Sequence, residues 1–329
     1  MFPYTSTFIS GFQDVIREHL PTVVRDAQIR RCDDGIILYD SALPAAHIAA
    51  LRFFNNTFAV LAQYDIVGKD PLQRLATHVR GDDAWLEKLR SSFPKARTYT
   101  LRSSVENHMA ALHPIARQKL ERMLGDTGMK QGGANADIDL WLMTRREGYG
   151  FLGVRITRQE AELAKGELRP ELAHLLCVVS GPSPSDRFLD PFCGSGAIAI
   201  ERLRAFPATD VWAGDNDRAL VRLLCERVSK RLHVEVMDAL NLTQFADASI
   251  DVIVTDPPWG HFAASTNLAA MLDEFAHVVR PGGRIVLLLA RDAELEHHLA
   301  GLPLTQRRRL DVLVSGRKAS VHVLERMEQ

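Results

Sequence analysis

Asp190-Pro191-Phe192-Cys193-Gly194-Ser195-Gly196 stands between a short apolar run, Arg187-Phe188-Leu189, and a run of good helix formers, Ala197-Ile198-Ala199-Ile200-Glu201-Arg202-Leu203. The stretch is therefore a strand-to-helix turn. Gly194 and Gly196 can take positive φ and carry no side chain, so a ligand can lie against the backbone. The helix N-terminus beyond offers unpaired N–H groups to a carboxylate or phosphate. The same geometry would serve a dinucleotide, or merely let a helix pack on a strand.

Working outward, Val211-Trp212-Ala213-Gly214-Asp215 reads as a second strand ending in an acid. The acid lies about twenty residues after the glycines, where a carboxylate can accept both hydroxyls of a ribose. Asp215 reads equally well as the N-cap of a helix over Arg218 to Arg227. Val234-Glu235-Val236-Met237-Asp238 is a third strand ending in an acid, and Asp238 is placed either to accept an adenine amino group or to be an ordinary loop residue. Ile250 to Thr255 is apolar except for Asp251, as a strand buried on both faces should be, and it delivers Asp256 to its end. Four strands thus carry four acids to the carboxyl edge of one sheet, where open α/β sheets bind ligands.

The fourth acid opens Asp256-Pro257-Pro258-Trp259-Gly260. An exocyclic amine on a nucleobase is a poor nucleophile because its lone pair is delocalised into the ring. A catalyst must draw that nitrogen towards tetrahedral geometry, and the Asp256 carboxylate and Pro257 carbonyl can accept its two hydrogens. Pro257 and Pro258 fix φ near about −65° and remove competing donors, so the acceptors are held outward. Trp259 offers a flat face on which a base can stack.

With both strings in place, residues from about Leu168 to Gln329 resemble a class I S-adenosylmethionine-dependent methyltransferase. The Asp-Pro-Pro-Trp tetrapeptide is similar to the amino-methyltransferase signature. The resemblance implies a Rossmann-like α/β sheet of seven strands whose last pair forms a hairpin with one antiparallel strand. It also implies that the turn comprising Asp190, Pro191, Cys193, Gly194, Ser195 and Gly196 wraps the methionine part of S-adenosylmethionine, Asp215 its ribose and Asp238 its adenine. Asp256, Pro257, Pro258 and Trp259 would be the catalytic set. Arg284 to Ala290 after Arg280-Pro281-Gly282-Gly283, then Leu310 to Val314 and Ala319 to Leu324 about a Gly316 turn, supply the remaining strands.

A chain of 329 residues, 46% of them hydrophobic, suits two cores. Cys32, Cys177, Cys193 and Cys225 have no metal-ligand spacing and read as reduced thiols of a cytoplasmic protein. The start Met1-Phe2-Pro3-Tyr4-Thr5-Ser6 lacks a targeting pattern and no run is long enough to span a membrane. No metal is expected: His297-His298 has no third ligand at metal spacing and reads as surface. Arg307-Arg308-Arg309 could touch phosphate but reads better as a solvated edge strand, and His261 stands where it could meet a substrate. Nothing sets the oligomeric state, and a monomer is the default. The net charge is −1, yet Arg52 to Arg158 holds 17 Lys and Arg against 11 Asp and Glu, a modest basic segment suited to phosphate docking.

That basic segment lies in the amino-terminal half, whose pattern is mixed α and β. Strands are expected over Thr5 to Ile9, Gly35 to Tyr39 and near Phe53 to Val60, and helices over Gly11 to Leu20 and Pro44 to Leu51. Helices follow around Asp70 to His78 and Asp83 to Ser91, then a strand over Arg97 to Arg102 with outward arginines. A long helix is expected over Val105 to Leu124, weakly broken at Pro114, before a hairpin of Ile138 to Met143 and Gly150 to Ile156. On Phe8-Ile9-Ser10-Gly11-Phe12, the strand with Tyr99 and Arg102, and the closing strands, this half resembles the ferredoxin-like subdomain and THUMP domain of RNA-modifying enzymes. The whole order is similar to the THUMP-containing RNA guanine-N2 methyltransferases. The implied domains are a ferredoxin-like subdomain at 1–60, a THUMP-like RNA-binding domain at 61–156, a linker at 157–170 and the methyltransferase domain at 171–329. The implied reaction is methylation of guanosine N2 in RNA, with tRNA the expected partner. Adenine N6 methylation uses the same tetrapeptide, and an RNA-binding protein with a vestigial pocket is a third reading; the THUMP-like half speaks against the second and the intact acids against the third.

Overall fold

The computed structural model describes residues 1–106, 108–157, 167–228, 231–258, 267–291, 293 and 295–328. It divides into two compact units: Met1–Thr7, Leu20–Leu51 and Asn56–Gln159 form one, and Phe8–His19, Arg52–Asn55 and Glu160–Gln329 the other. Among the described residues no helix is long and apolar enough to cross a membrane.

The first unit is built on strands β1 (Phe2–Thr7), β2 (Gln28–Asp33), β3 (Ile36–Ser41), β4 (Asn56–Asp65), β5 (Thr98–Val105), β6 (His108–Met109), β7 (Lys130–Gln131), β8 (Ile138–Arg145) and β9 (Tyr149–Arg155). They make one sheet in the order β2-β3-β1-β4-β9-β8-β5-β6, with β7 beside β5. Helix α1 (Gln13–Val23) follows β1 and α2 (Ala45–Ala49) follows β3; α3 (Pro71–Arg80), α4 (Ala84–Ser92) and α5 (Pro114–Asp126) come later. Strand alternation divides the core. Leu140, Leu142, Leu152 and Val154 meet Leu75, Val79, Trp85, Leu120 and Leu124 of the helices, while Met143, Tyr149 and Phe151 join Ile36, Leu38 and Phe58 in a separate cluster. The expected domain line at residue 60 falls inside β4, which hydrogen-bonds to β1 on one side and β9 on the other.

One expectation here is corrected, and one strand was not foreseen. The helix expected from Val105 begins only at Pro114; Val105 ends β5, Glu106 takes φ 57°, and β6 turns back on β5. Proline disfavours helical geometry in the residue before it and is accepted at the first helical position, so Pro114 starts the helix rather than interrupting one. Strand β2 has no counterpart in the pattern because Gln-Ile-Arg-Arg-Cys-Asp shows no alternation.

The second unit alternates strand and helix: α6 (Pro170–Val179), β10 (Arg187–Asp190), α7 (Ala197–Ala205), β11 (Asp210–Asp215), α8 (Arg218–Arg227), β12 (His233–Val236), β13 (Ile250–Thr255), α9 (Leu268–Val278), β14 (Val279–Ala290), α10 (Leu295–Leu299), β15 (Leu304–Val314) and β16 (Arg317–Arg326). Its seven strands run β12-β11-β10-β13-β14-β16-β15. The first five pair in parallel, and β16 is antiparallel to both neighbours, as the resemblance implies. The Arg280-Pro281-Gly282-Gly283 stretch is an irregularity inside β14: Ile250 pairs with Val279 but Val252 with Arg284. Ser315 and Gly316, both at positive φ, make the two-residue turn of the last hairpin. Helix α6 begins at Pro170, where the expected linker ends; residues 158–166 of that linker lie outside the described residues.

Two early segments of the chain belong to this second unit. Ser10 accepts a backbone hydrogen bond from Leu313, and a Cβ on Gly11, at φ 95°, would lie 2.1 Å from the Asp311 carbonyl oxygen, so only glycine fits. The Arg52 guanidinium grips Glu201 of α7 with Nε at 2.7 and 3.0 Å and a second nitrogen at 2.7 Å. His174 Nδ1 holds the same carboxylate at 2.8 Å, and Phe53 packs against the His19 and His174 rings. Burial alone would raise the Glu201 carboxyl, but His174 and Arg52 together hold it below its ordinary value. Residues 8–19 and 52–55 thus belong to the same compact unit as residues 160–329.

Candidate active site

Strand β10 is flanked by β11 and β13, and the candidate site lies at the carboxyl edge of these three. Asp190 ends β10 and is fully buried; its Oδ1 accepts from the Thr255 hydroxyl at 2.7 Å. Its Oδ2 is buried and has no hydrogen-bond partner among the described residues. Burial is the main reason its carboxyl is pushed up to about 7; Asp256 and Asp215 push the same way, against the Thr255 hydroxyl and Phe192 amide.

The glycine-rich turn is held from below by β11. Cys193 donates its backbone N–H to the Gly214 carbonyl at 2.8 Å, Gly194 donates to Asp215 Oδ2 at 2.9 Å, and Gly196 donates to the Cys193 carbonyl at 2.7 Å. Gly194 and Gly196 both adopt positive φ, at 51° and 84°. Their roles differ. A Cβ on Gly196 would come within 2.5 Å of Leu224 of α8, so this glycine lets α7 start close to α8, whereas no described atom lies within 4 Å of a Cβ on Gly194. Gly196 is the N-cap of α7 and provides no side-chain cap, which leaves its first-turn N–H groups for another acceptor. Pro191 is buried within the turn, and Ser195 is half-buried beside Gly196.

Asp215, half-buried, uses Oδ2 for Gly194 and Oδ1 for the Asp217 N–H at 2.9 Å, and each oxygen keeps a second acceptor site. The capping role weighed for it belongs to Asp217, whose side chain accepts from Ala219 at the start of α8. Asp238 lies two residues past β12, is exposed, and binds the Leu240 N–H at 2.9 Å. Asp256 follows β13 and is half-buried, with Pro257 buried and Pro258 half-buried behind it. Trp259 and His261 lie outside the described residues. Cys193 is no nucleophile: burial, with Asp190 and Asp215 nearby, pushes its thiol well above the ordinary range, and its contribution here is backbone.

Two site residues carry no motif. Thr255 is the last residue of β13, and its hydroxyl is seen to matter only when β13 is laid beside β10. Gly214 accepts from the turn, and a Cβ there would meet Met237 at 2.4 Å, so β11 and the Met237 segment approach more closely than any side chain allows. The donor set fits S-adenosylmethionine: an open face over Gly194, an uncapped helix start, a two-oxygen acceptor at Asp215 and a group of carboxylates suited to a ligand carrying ammonium and sulfonium charges. Among the described residues no group of His, Cys, Asp and Glu is placed to hold a metal ion.

The basic segment of the first unit is less concentrated. Arg102 and Arg155 both pair with Asp139, at 3.0 and 2.8 Å, and flank the Trp141 ring at 5.9 and 5.7 Å. Lys95, Lys119, Arg122 and Lys130 are exposed. In the second unit, Arg307 is bound to Glu325, Arg308 to Glu18 and Arg309 to Asp311, so this run is a neutralised edge strand.

Residues 158–319 match the family model of the RMKL-like methyltransferase domain. The chain is 29% identical over 215 residues to a tRNA (guanine(6)-N2)-methyltransferase of Thermus thermophilus, covering 59% of this chain and 64% of that protein. It is 33% identical over 225 residues to the tRNA (guanine(6)-N(2))-methyltransferase THUMP3 of Bos taurus, covering 59% of this chain and 44% of that one. The matched stretch therefore spans less than two thirds of either relative. The crystal structure of TrmN from Thermus thermophilus superposes with a TM-score of 0.80 at 23% identity, covering 99% of this chain and 100% of that one. Both units therefore share the fold of that solved structure.

Proposed function

We propose that this protein transfers a methyl group from S-adenosylmethionine to the exocyclic N2 of a guanosine in RNA, with tRNA as the substrate. The observation that carries the reading is the delivery of Asp256-Pro257-Pro258 by buried β13 to the edge where β10 presents its glycine turn. Relatives named as tRNA guanine-N2 methyltransferases support the choice of base and nitrogen.

S-adenosylmethionine supplies the electrophilic methyl group. The backbone N–H groups at the start of α7 and the open face of Gly194 bind its amino-acid end, Asp215 accepts from the ribose hydroxyls, and Asp238 accepts from the adenine amine. Asp256 and the Pro257 carbonyl accept the two hydrogens of the target amine and turn its lone pair towards the methyl carbon. Stacking of the flipped guanine on Trp259 rests on the tetrapeptide alone. The first unit is a ferredoxin-like and THUMP-like module that docks RNA phosphates through exposed cations such as Lys119, Arg122 and Lys130. The protein works in the cytoplasm, a setting in keeping with four cysteines that form no disulfide.

The test is incubation of the full-length protein with unmodified tRNA transcripts and methyl-labelled S-adenosylmethionine, followed by digestion to nucleosides. Label in N2-methylguanosine is the expected result. Label in N6-methyladenosine, or in no nucleoside, would overturn the assignment.

A further inference from the structure

Asp190 is the one carboxylate of the candidate site placed between two others. Its strand has β11, ending in Asp215, on one side and β13, followed by Asp256, on the other. Adjacent strands lie about 4.8 Å apart, so like charge stands close on both sides. The outer two acids are half-buried and remain in reach of solvent, whereas Asp190 is 0% exposed. Among the described residues no arginine, lysine or histidine forms an ion pair with it. The other titratable groups near it are the Cys193 thiol in the turn and the Cys177 thiol of α6, both kept neutral by burial with Asp190 itself contributing. Oδ1 is engaged by Thr255 and the Phe192 amide also favours the ionised carboxyl, yet among the described residues Oδ2 is a buried acceptor with no hydrogen bond. A naked charge at that oxygen is costly, and the direction in which burial and its two neighbours drive the carboxyl agrees.

We propose that Asp190 is a specificity-determining residue that couples cofactor binding to proton release: its carboxyl holds a proton in the free protein at mildly acidic pH and gives it up when a sulfonium ligand binds, which favours S-adenosylmethionine over S-adenosylhomocysteine. The inference rests on S-adenosylmethionine being the cofactor. The balance is simple. One proton leaves the Asp190 carboxyl for the buffer, and the carboxylate left behind faces the positive charge that the ligand brings. S-adenosylhomocysteine keeps the ammonium and carboxylate of its amino-acid end but has a neutral thioether, so it brings one positive charge fewer and draws off less of the proton. The sign follows. A ligand that prefers the ionised carboxyl must displace a proton wherever the free protein holds one, so affinity for S-adenosylmethionine falls as pH drops below about 7, by up to about tenfold per pH unit. Affinity for S-adenosylhomocysteine falls less steeply. The site thus discriminates most strongly against its own product at neutral and higher pH.

The experiment is isothermal titration calorimetry of the full-length protein with each ligand, at pH 6 to 8, in buffers of differing ionisation enthalpy. Release of protons with S-adenosylmethionine, a smaller release with S-adenosylhomocysteine, and abolition of the difference in Asp190→Asn are the expected results. Binding of S-adenosylmethionine with no proton release at pH 6, equal release for the two ligands at that pH, or an unchanged difference in Asp190→Asn would each overturn the proposal. Should Asp190→Asn fail to fold, the infrared difference spectrum of the wild-type protein decides: loss of a protonated-carboxyl band on binding S-adenosylmethionine supports it, and no such loss refutes it. If neither ligand binds at all, the cofactor reading fails and takes this proposal with it, an outcome distinct from binding without release.

Discussion

In the second unit Asp190, Asp215 and Asp256 gather at three neighbouring strands, whereas in the first unit Asp139 stands between Arg102 and Arg155 and neutralises them. The first arrangement raises the cost of a charge on Asp190; the second answers two arginines with a carboxylate. Like charge held together against its own repulsion marks a place prepared for a ligand of opposite sign. Charge answered within its own sheet marks a surface whose shape is being maintained. The contrast explains why the second unit announces its chemistry in two short strings and the first only in a diffuse excess of cations.

The contrast can be broken at several points. The largest effect is expected from cutting the chain. A fragment from Leu168 to Gln329 lacks Phe12, Ile16 and Phe53, all essentially buried, together with the Arg52 partner of Glu201. It should show no cooperative thermal transition by circular dichroism; a sharp transition with cofactor binding would show that the second unit stands alone. Arg52→Ala in the full chain should cost about 3 kcal/mol in chemical denaturation, because it strips the main cation from a carboxylate buried to 3% exposure. Asp256→Ala should leave S-adenosylmethionine binding nearly intact but lower single-turnover methylation by about 100-fold, since an acceptor used in the transition state is lost. Asp215→Ala should weaken cofactor affinity by roughly 1.5 to 3 kcal/mol by calorimetry, through loss of charge-assisted hydrogen bonds and slackening of the Gly194 amide it holds. Wild-type affinity would reduce Asp215 to a loop clamp. The smallest effect is expected in the first unit. Lys119→Ala with Arg122→Ala should leave cofactor binding unchanged and flatten the dependence of RNA affinity on salt by about one to two phosphate contacts in a filter-binding series.

Much of the second unit was legible because its determinants are local. The glycine turn, the apolar β13 run and the Ser315-Gly316 hairpin each depend on residues within a few positions of one another. Asp251, the one charged residue of β13, is explained only across the sheet: it accepts from the Arg187 amide and from Arg280. Thr255 was not legible as a site residue, since a threonine ending a strand is ordinary until β10 brings a buried carboxylate against it. Nor was the membership of Phe8–His19 and Arg52–Asn55 in the second unit, because partners such as Arg52 and Glu201 leave no periodic trace in the intervening chain. In the first unit the helix over 105–124 was overdrawn because apolar spacing continues through Pro114 while backbone sterics do not.

The hydrogen bond from Leu313 to Ser10 and the close approach of Gly11 to Asp311 bear on how the protein is made. During synthesis the segment around Ser10 emerges about 300 residues before its docking site on β15. At about 5 to 20 residues per second, it waits on the order of 15 to 60 seconds for that strand. For about the second half of that interval the first unit has all its strands, whereas the second still lacks the partner of its Ser10 segment. Closure of the second unit therefore waits for β15, and the exposed intermediate before it is where chaperone engagement and aggregation would concentrate.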